Sequence, residues 1–430
     1  MDQRRGQRQS GQRRGERRDR SSSVDRSGGR GQYQPGDHRP ESHRGRQPGD
    51  ICRHLCRTAE SRKGRLMVIC HITTVHKPTD VRIFEKECSW LAAQGHRVIF
   101  IVWKAVSQKA NGVEIIGLSD VDLPRIKRFL IANLAAYRTA MAQGADIYHF
   151  HDIEFLPYAW LMRHKGRTVI YDVHEDMPRA LYGRYWIPKP LRKILSRLVE
   201  SFENRAAGRL SGIVTATPQI NSRFARINQN VVNVNNYPSG IVDGPYAAND
   251  EICYIGGISQ IRGNTELVTA LGLVNRDIRL NLAGEFDPPE YRQHLEGVRG
   301  WEKVNYLGWC SRDEISRIMS RSSAGVVTFH PLPNHIDAQP NKIFEYMSAG
   351  LPLIASDFPL WRSIVEGNKC GLCVDPLDPD GLARAIEYIL ANPGQARKMG
   401  ANGREAVKNK YNWPAEGRKL SAFYQRIGKH

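Results

Sequence analysis

The chain is predicted to be an α/β protein of two Rossmann-like, doubly wound domains facing each other across a cleft. Three observations predict it. At 430 residues the chain is longer than one ordinary core fills. From Met67 onward, short β-branched runs alternate with amphipathic helical stretches, the pattern of parallel strands joined by crossover helices. The alternation stops once, at 238–245, where Pro, Ser, Gly and Asp cluster without periodicity, and then restarts.

In the first half, strands are expected at 67–73, 97–103, 146–151, 168–173, 212–217 and 231–236, with helices at 80–94, 127–143, 155–164, 188–208 and 218–227. Thr79-Asp80 caps the first of these helices and Gly95 stops it. Its apolar positions Ile83, Leu91 and Ala92 leave Arg82, Glu85 and Lys86 for other faces. In the second half, strands are expected at 251–258, 279–283, 304–307, 324–328, 353–355 and 372–374. Helices fit at 264–274, 288–297, 312–320, 341–349, 358–365, 378–391 and 394–408. This divides the chain into domains at 67–243 and 244–412, with a closing helix in 413–430 that returns to the first domain. Ligand chemistry then belongs in the cleft at the carboxyl ends of the two sheets.

The net charge of +19 is unevenly spread. Residues 1–66 carry 18 Lys+Arg against 8 Asp+Glu, and the other 364 carry 45 against 36. The first block is Arg, Gly, Gln, Ser and Asp with few apolar residues, so it is expected to be a disordered basic tail. It is either a polyanion-binding arm or sequence upstream of a true start at Met67, and the abrupt change of composition there favours the second. It has no apolar run of the signal-peptide kind, and no stretch of the chain reaches the ~18 apolar residues of a spanning helix. A cytoplasmic protein, at most lying on the inner face of the membrane, is expected. Cys370-Gly-Leu-Cys373 has redox spacing but no second pair or histidine cluster near it in sequence, and reads better as a short strand with reduced thiols.

Two constellations in the second half carry chemistry. A strand ends in Gly256-Gly257, followed by Arg262-Gly263 and a helix. Glycines at such a turn let the backbone approach a phosphate, the helix N-terminus favours its charge, and Arg262 adds a donor fork suited to a diphosphate. Further on, a polar loop containing Asp337 runs into a helix with Asn341, Lys342 and Glu345, ended by Gly350-Leu351-Pro352. Two carboxylates so spaced can hold hydroxyls of a sugar and of a ribose, while Lys342 and the helix amides meet phosphate between them.

These segments, with His76-Lys-Pro-Thr-Asp-Val-Arg-Ile-Phe84, resemble the retaining glycosyltransferases of family 4, enzymes of the GT-B fold, in particular bacterial polysaccharide-assembling members. The resemblance covers about 67–430. It implies that Glu345 grips the ribose and that Asp337, standing where the family usually has Glu, faces the transferred sugar as a catalytic group. In the diphosphate loop Gly257 takes the place of the family's Arg and Arg262 that of its Lys, so that Lys342 would supply the missing cation. His151, at the end of Tyr148-His149-Phe150-His151-Asp152, stands where similar enzymes place a histidine beside the anomeric carbon. His174, ending the next strand, would line the same cleft, and His71, Asp80 and Arg82 belong to the acceptor side.

The expected activity is transfer of a sugar from a nucleoside-diphosphate sugar to a glycan or lipid-linked acceptor. No cofactor and no metal are expected: Asp120-Val121-Asp122 has the spacing of a metal-binding pair but lies in a short polar loop, and enzymes of this fold neutralise the diphosphate with cations and helix dipoles. An epimerase of the same fold is the rival reading. An RNA-binding protein acting through the arginine-rich arm is the rival from another class, and it leaves both constellations unexplained, so nucleic acid is not an expected partner. In 190–205, Leu191, Ile194, Leu195, Leu198, Val199 and Phe202 recur at helical spacing among Arg192, Lys193, Arg197 and Arg205. With Phe129-Leu130-Ile131 after Arg125, Lys127 and Arg128, this is the pattern either of anionic-membrane docking or of an ordinary core-facing helix.

Overall fold

The computed structural model describes residues 65–428 apart from 120–123, 125, 126, 184–186, 243 and 245. The basic tail, the Asp120-Val121-Asp122 motif and Arg125 therefore lie outside the described residues, apart from Arg65 and Leu66 at the end of the tail. Two sheets organise the rest. The first has eight strands in the order β3-β4-β2-β1-β5-β6-β7-β8: β1 (Val68–Thr73), β2 (Arg97–Val102), β3 (Gln108–Ala110), β4 (Val113–Gly117), β5 (Ile147–Phe150), β6 (Val169–Val173), β7 (Gly212–Thr215) and β8 (Val231–Asn233). All are parallel except β3 against β4. That edge hairpin was not among the expected strands, although its turn, Asn111-Gly112, is a strong hairpin signal. Both residues take positive φ, 51° and 78°.

The second sheet is wholly parallel, in the order β11-β10-β9-β12-β13-β14. Its strands are β9 (Glu251–Ile255), β10 (Arg279–Ala283), β11 (Val304–Gly308), β12 (Ala324–Val327), β13 (Leu353–Ser356) and β14 (Gly371–Val374). Strand order reverses between β1 and β5 in the first sheet and between β9 and β12 in the second, which opens a crevice at each carboxyl edge.

Helices cover both faces of the first sheet. On one side lie α1, a π-helical stretch Val81–Cys88 continued by Ser89–Ala93, and the closing helix α14 (Trp413–Ile427), around a core of Ile69, Phe100, Ile170 and Val214. On the other lie α2 (Arg128–Ala132 continued by Asn133–Ala142), α3 (Leu156–His164), α5 (Lys189–Ala207) and α6 (Pro218–Phe224), with Phe150, Phe155 and Tyr171 between. A short α4 (Met177–Ala180) precedes α5. In the second half α7 (Asn264–Leu273), α8 (Tyr291–Glu296), α9 (Arg312–Arg321), α10 (Asn341–Ala349), α11 (Pro359–Val365), α12 (Pro379–Ala391) and α13 (Pro393–Asn409) complete the layers.

Helix α14 follows α13 in the chain yet packs on α1 and β8. Asn235 N–H donates to Glu416 Oε2 at 2.8 Å, and the Trp90 ring lies against Gly417, where a Cβ would meet it at 2.6 Å. The chain thus ties its two halves together twice, at the connection before β9 and through α14. Cys370 and Cys373 are free, and burial pushes each thiol up to about 12, the opposite of a reactive redox pair.

Candidate active site

The carboxyl edge of the first sheet is a buried network. Parallel pairing of β1, β5 and β6 sets His71 beside His149, and places His151, Asp172 and His174 next to them. Arg82, from the first turn of α1, donates twice to Asp172, Nε to Oδ2 at 2.9 Å and Nη2 to Oδ1 at 2.7 Å, and once to Val234 O at 2.8 Å. Burial opposes ionisation of Asp172, but the Arg82 guanidinium outweighs it and holds the carboxyl well below its usual range. Asp172 Oδ2 also meets His174 Nε2 at 2.8 Å and His151 Nδ1 at 3.2 Å, and His151 Nε2 lies 3.0 Å from His71 Nδ1. Behind them, His149 Nδ1 and the Tyr424 hydroxyl of α14 share a short hydrogen bond, and the same hydroxyl is 3.4 Å from His71 Nε2.

Burial lowers His151 to about 4 and takes His71 and His149 well below the usual histidine range, so these rings are neutral. Burial, then the Asp172 charge, raises Glu87 well above the carboxylate range. At the rim His76 is raised instead: burial opposes its charge, but the hydrogen bond to Asp80 at 3.3 Å and the Asp152 carboxylate outweigh it. Asp152 fastens the crevice by accepting from the Thr73 hydroxyl at 3.0 Å. Ligand atoms of His71, Glu87, His149 and His151, or of His151, Asp172 and His174, lie within 4.8 Å of one another and are the described groups best placed to hold a metal.

The second crevice is built the other way, around the cations Arg262 and Lys342. Gly256 (φ 123°) turns the chain out of β9, and Gly263 (φ 69°) starts α7 with its Cα so close to Thr328 that a Cβ would stand 1.8 Å from the carbonyl oxygen. Only glycine accepts both the backbone angle and that approach. Over the turn, Arg262 Nη1 donates to Gly257 O at 3.3 Å, and Lys342 comes from the first turn of α10. A Cβ on Gly256 would meet Lys342 Cε at 2.6 Å, and one on Gly257 would meet Arg262 Nη1 at 2.8 Å. The Lys342 ammonium is buried with no hydrogen-bond partner, 3.8 Å from the Tyr254 ring centroid and 5.2 Å from that of Phe329. Burial, then Arg262, holds it well below the usual lysine range.

A cavity of about 380 Å³ lies between the two halves, beside the first crevice and the start of α10. The first half contributes Asp80, Arg82, His174 and Thr217, and the second Gln339, Asn341 and Phe344. Of the residues singled out in the sequence, Asp80, Arg82, His174 and Asn341 therefore line this cavity together. Gly256, Gly257, Arg262, Gly263 and Lys342 form the cation cradle. His71 is interior, and His151 stands behind His174, engaged through both ring nitrogens. Asp337 is half-buried in a turn before α10, and Glu345, a turn beyond Lys342, pairs through Oε1 with Arg312 at 3.2 Å.

Sequence reasoning passed over Tyr424, Glu87, Lys86 and Arg312. Tyr424 and Arg312 lie hundreds and tens of residues from their partners, with no local signal. Lys86 was assigned to a helix face, but its ammonium is buried against Asn236, 2.6 Å from Oδ1, and burial lowers it to about 7.

Comparison with known proteins matches both halves. Residues 81–235 match the model described as glycosyl transferase 4-like domain, and 249–392 that described as glycosyl transferases group 1. The alpha-D-kanosaminyltransferase of Streptomyces kanamyceticus is 26% identical over 181 residues, 41% of this chain and 46% of that enzyme, so the chain spans about half the length of this curated relative. Among solved structures, the fold is similar to sucrose-phosphate synthase from Thermosynechococcus elongatus (TM-score 0.70, 21% identity, 84% of this chain and 99% of that one). It is also similar to the Anabaena protein HepE in complex with UDP and glucose (TM-score 0.64, 13% identity, 84% and 100%). With two parallel-sheet halves of this fold and a family model on each, the chain belongs to the family 4-like glycosyltransferases.

Proposed function

We propose that the chain transfers a sugar from a nucleoside-diphosphate sugar to an acceptor hydroxyl, with retention at the anomeric carbon, in assembly of a cell-surface glycan or glycolipid. The observation that carries the reading is Lys342, a buried ammonium without a hydrogen-bond partner among the described residues, near Arg262 at a turn where Gly256 and Gly257 leave no side chain in the way. A desolvated cation of this kind calls for a mobile anion, and a diphosphate at the start of α10 supplies it. Bound there, the donor would set its ribose at the Glu345 carboxylate and its sugar toward Asp337. The acceptor hydroxyl would enter beside Asp80, Arg82 and His174, with His151 fixing His174 from behind.

In the transfer, the bond from the anomeric carbon to the diphosphate oxygen breaks as the acceptor oxygen bonds that carbon on the same face, and the acceptor's proton passes to the departing oxygen. Arg262, Lys342 and the α10 amides stabilise the charge that develops, the task a metal performs elsewhere, so no metal is assigned to this step. No helix of the described residues is long and apolar enough to cross a membrane. A cytoplasmic enzyme resting on the inner membrane face is the localisation we propose.

The test is thermal unfolding of the full chain and of Lys342→Met against UDP-, GDP-, ADP- and dTDP-sugars. A donor at about 100 times its Kd adds roughly 2.7 kcal/mol to the folded state. Stabilisation of the parent by one nucleotide class, lost in the variant, supports the reading; no stabilisation by any of them overturns it. Product analysis with an acceptor then separates transfer from epimerisation.

A further inference from the structure

Helix α5 is folded with its apolar face outward. Leu191, Ile194, Leu195, Leu198 and Phe202 share one face at helical spacing, and they are between 37% and 63% exposed. The residues turned to the sheet are Ser196, Glu203 and Ala207. Glu203 docks the helix by polar contacts: its Oε1 accepts from the Tyr171 hydroxyl at 3.0 Å, and its Oε2 pairs with Arg223. A core-facing helix does the reverse. The sequence pattern alone fits either case, and the burial decides between them.

The face does not stop at α5. Helix α3 packs between α5 and α2 on the same side of the sheet, and it exposes Trp160 and Leu161. Helix α2 begins with exposed Phe129, Leu130 and Ile131. The large apolar residues exposed in the second half, such as Leu273, Trp309 and Leu377, are scattered singly instead. Charge accompanies the patch. Helix α5 carries Lys189, Arg192, Lys193, Arg197 and Arg205 against Glu200 and Glu203, and Glu203 is neutralised inside by Arg223. Arg163, Lys165 and Arg167 are exposed just beyond Leu161.

We infer that this face, centred on α5, docks the protein on an anionic lipid bilayer. Apolar side chains enter the headgroup boundary while the flanking Lys and Arg meet lipid phosphates, the arrangement of interfacial amphipathic helices. The basic surround is the argument for a bilayer over a second copy, whose identical positive rim would oppose pairing. The inference deepens the localisation proposed above and rests on that reading, but not on donor binding.

The experiment is co-sedimentation of the full chain with vesicles of phosphatidylglycerol and phosphatidylethanolamine, and with phosphatidylcholine vesicles. The parent is compared with Ile194→Glu/Leu198→Glu and with Lys193→Glu/Arg197→Glu, and cooperative thermal melting without ligand checks that each variant is folded. Binding to the anionic vesicles only, weakened at least tenfold in both variants, is expected. Binding that both variants retain would move the contact elsewhere, for example to the basic residues 1–66, and overturn the assignment while the localisation stands. No vesicle binding by the parent overturns both. A concentration-dependent dimer that Ile194→Glu/Leu198→Glu dissociates makes the face a self-association surface and also overturns the inference.

Discussion

The two crevices occupy equivalent positions, each where strand order reverses, and they are filled in opposite ways. Between β1 and β5 the sheet carries its polar groups in a linked set: Arg82 on Asp172, Asp172 on His151 and His174, His151 on His71, and Tyr424 on His71 and His149, with the Glu87 carboxyl and His149 Nε2 at its back left without a hydrogen bond among the described residues. Between β9 and β12 the turn is bare glycine, and among the described residues the Lys342 ammonium has no hydrogen-bond partner. A linked network holds geometry, because its members fix one another and a low dielectric strengthens each bond. An open one holds a ligand, because desolvated charge is relieved only when the ligand arrives. Under the proposed function, the first crevice would position and the second would bind.

Four changes would break or sharpen that contrast. The largest effect is expected from Asp172→Asn, which leaves Arg82 buried without its counter-charge. Removing one partner of a buried pair costs about 3–5 kcal/mol, read as a fall in the denaturant midpoint. Unchanged stability would mean that the Arg82–Asp172 pair is not what holds the network. Lys342→Met should leave stability unchanged or raise it, since a desolvated cation is removed, yet turnover should fall roughly 10²–10³-fold, as when one preorganised donor is lost. Steady-state kinetics together with a melting curve distinguishes this from unfolding.

Acidification comes next. His71, His149 and His151 have folded-state values below the unfolded 6.5, with His151 at about 4, so the unfolded chain takes up protons first. Their contribution is complete above pH ~6.5 and is lost as pH falls from there toward 4, at up to ~1.4 kcal/mol per pH unit for each ring. Denaturation at pH 7.5, 6 and 5 should show this slope, and a flat profile would contradict the neutral, buried assignment. The smallest effect is expected from Tyr424→Phe, about 1–2 kcal/mol for the hydrogen bonds to His149 and His71. Because Tyr424 comes from the last helix, the same change should loosen α14, seen as faster amide exchange there.

Much of this was legible in the order of residues. The alternation of strands and helices, the break near 238, and the Gly256-Gly257 turn followed by Arg262-Gly263 are local patterns, and local patterns follow from backbone sterics and periodicity. That Lys342 would supply a second cation was an implication of the family resemblance, not of its place in the helix. The edge hairpin at β3 and β4 escaped because its strands are short, although Asn111-Gly112 marked its turn.

The sequence by itself determined the two-sheet architecture, the switch-point loops and the chemical types gathered there. Only the tertiary structure decided that His151 is screened by His174, that Tyr424 reaches back across hundreds of residues to His149, and which way α5 faces. The pattern Leu191, Ile194, Leu195, Leu198 is identical whether it points in or out. What settles it is Glu203 meeting Arg223 and Tyr171, partners brought together by the fold and invisible in the spacing of the helix itself.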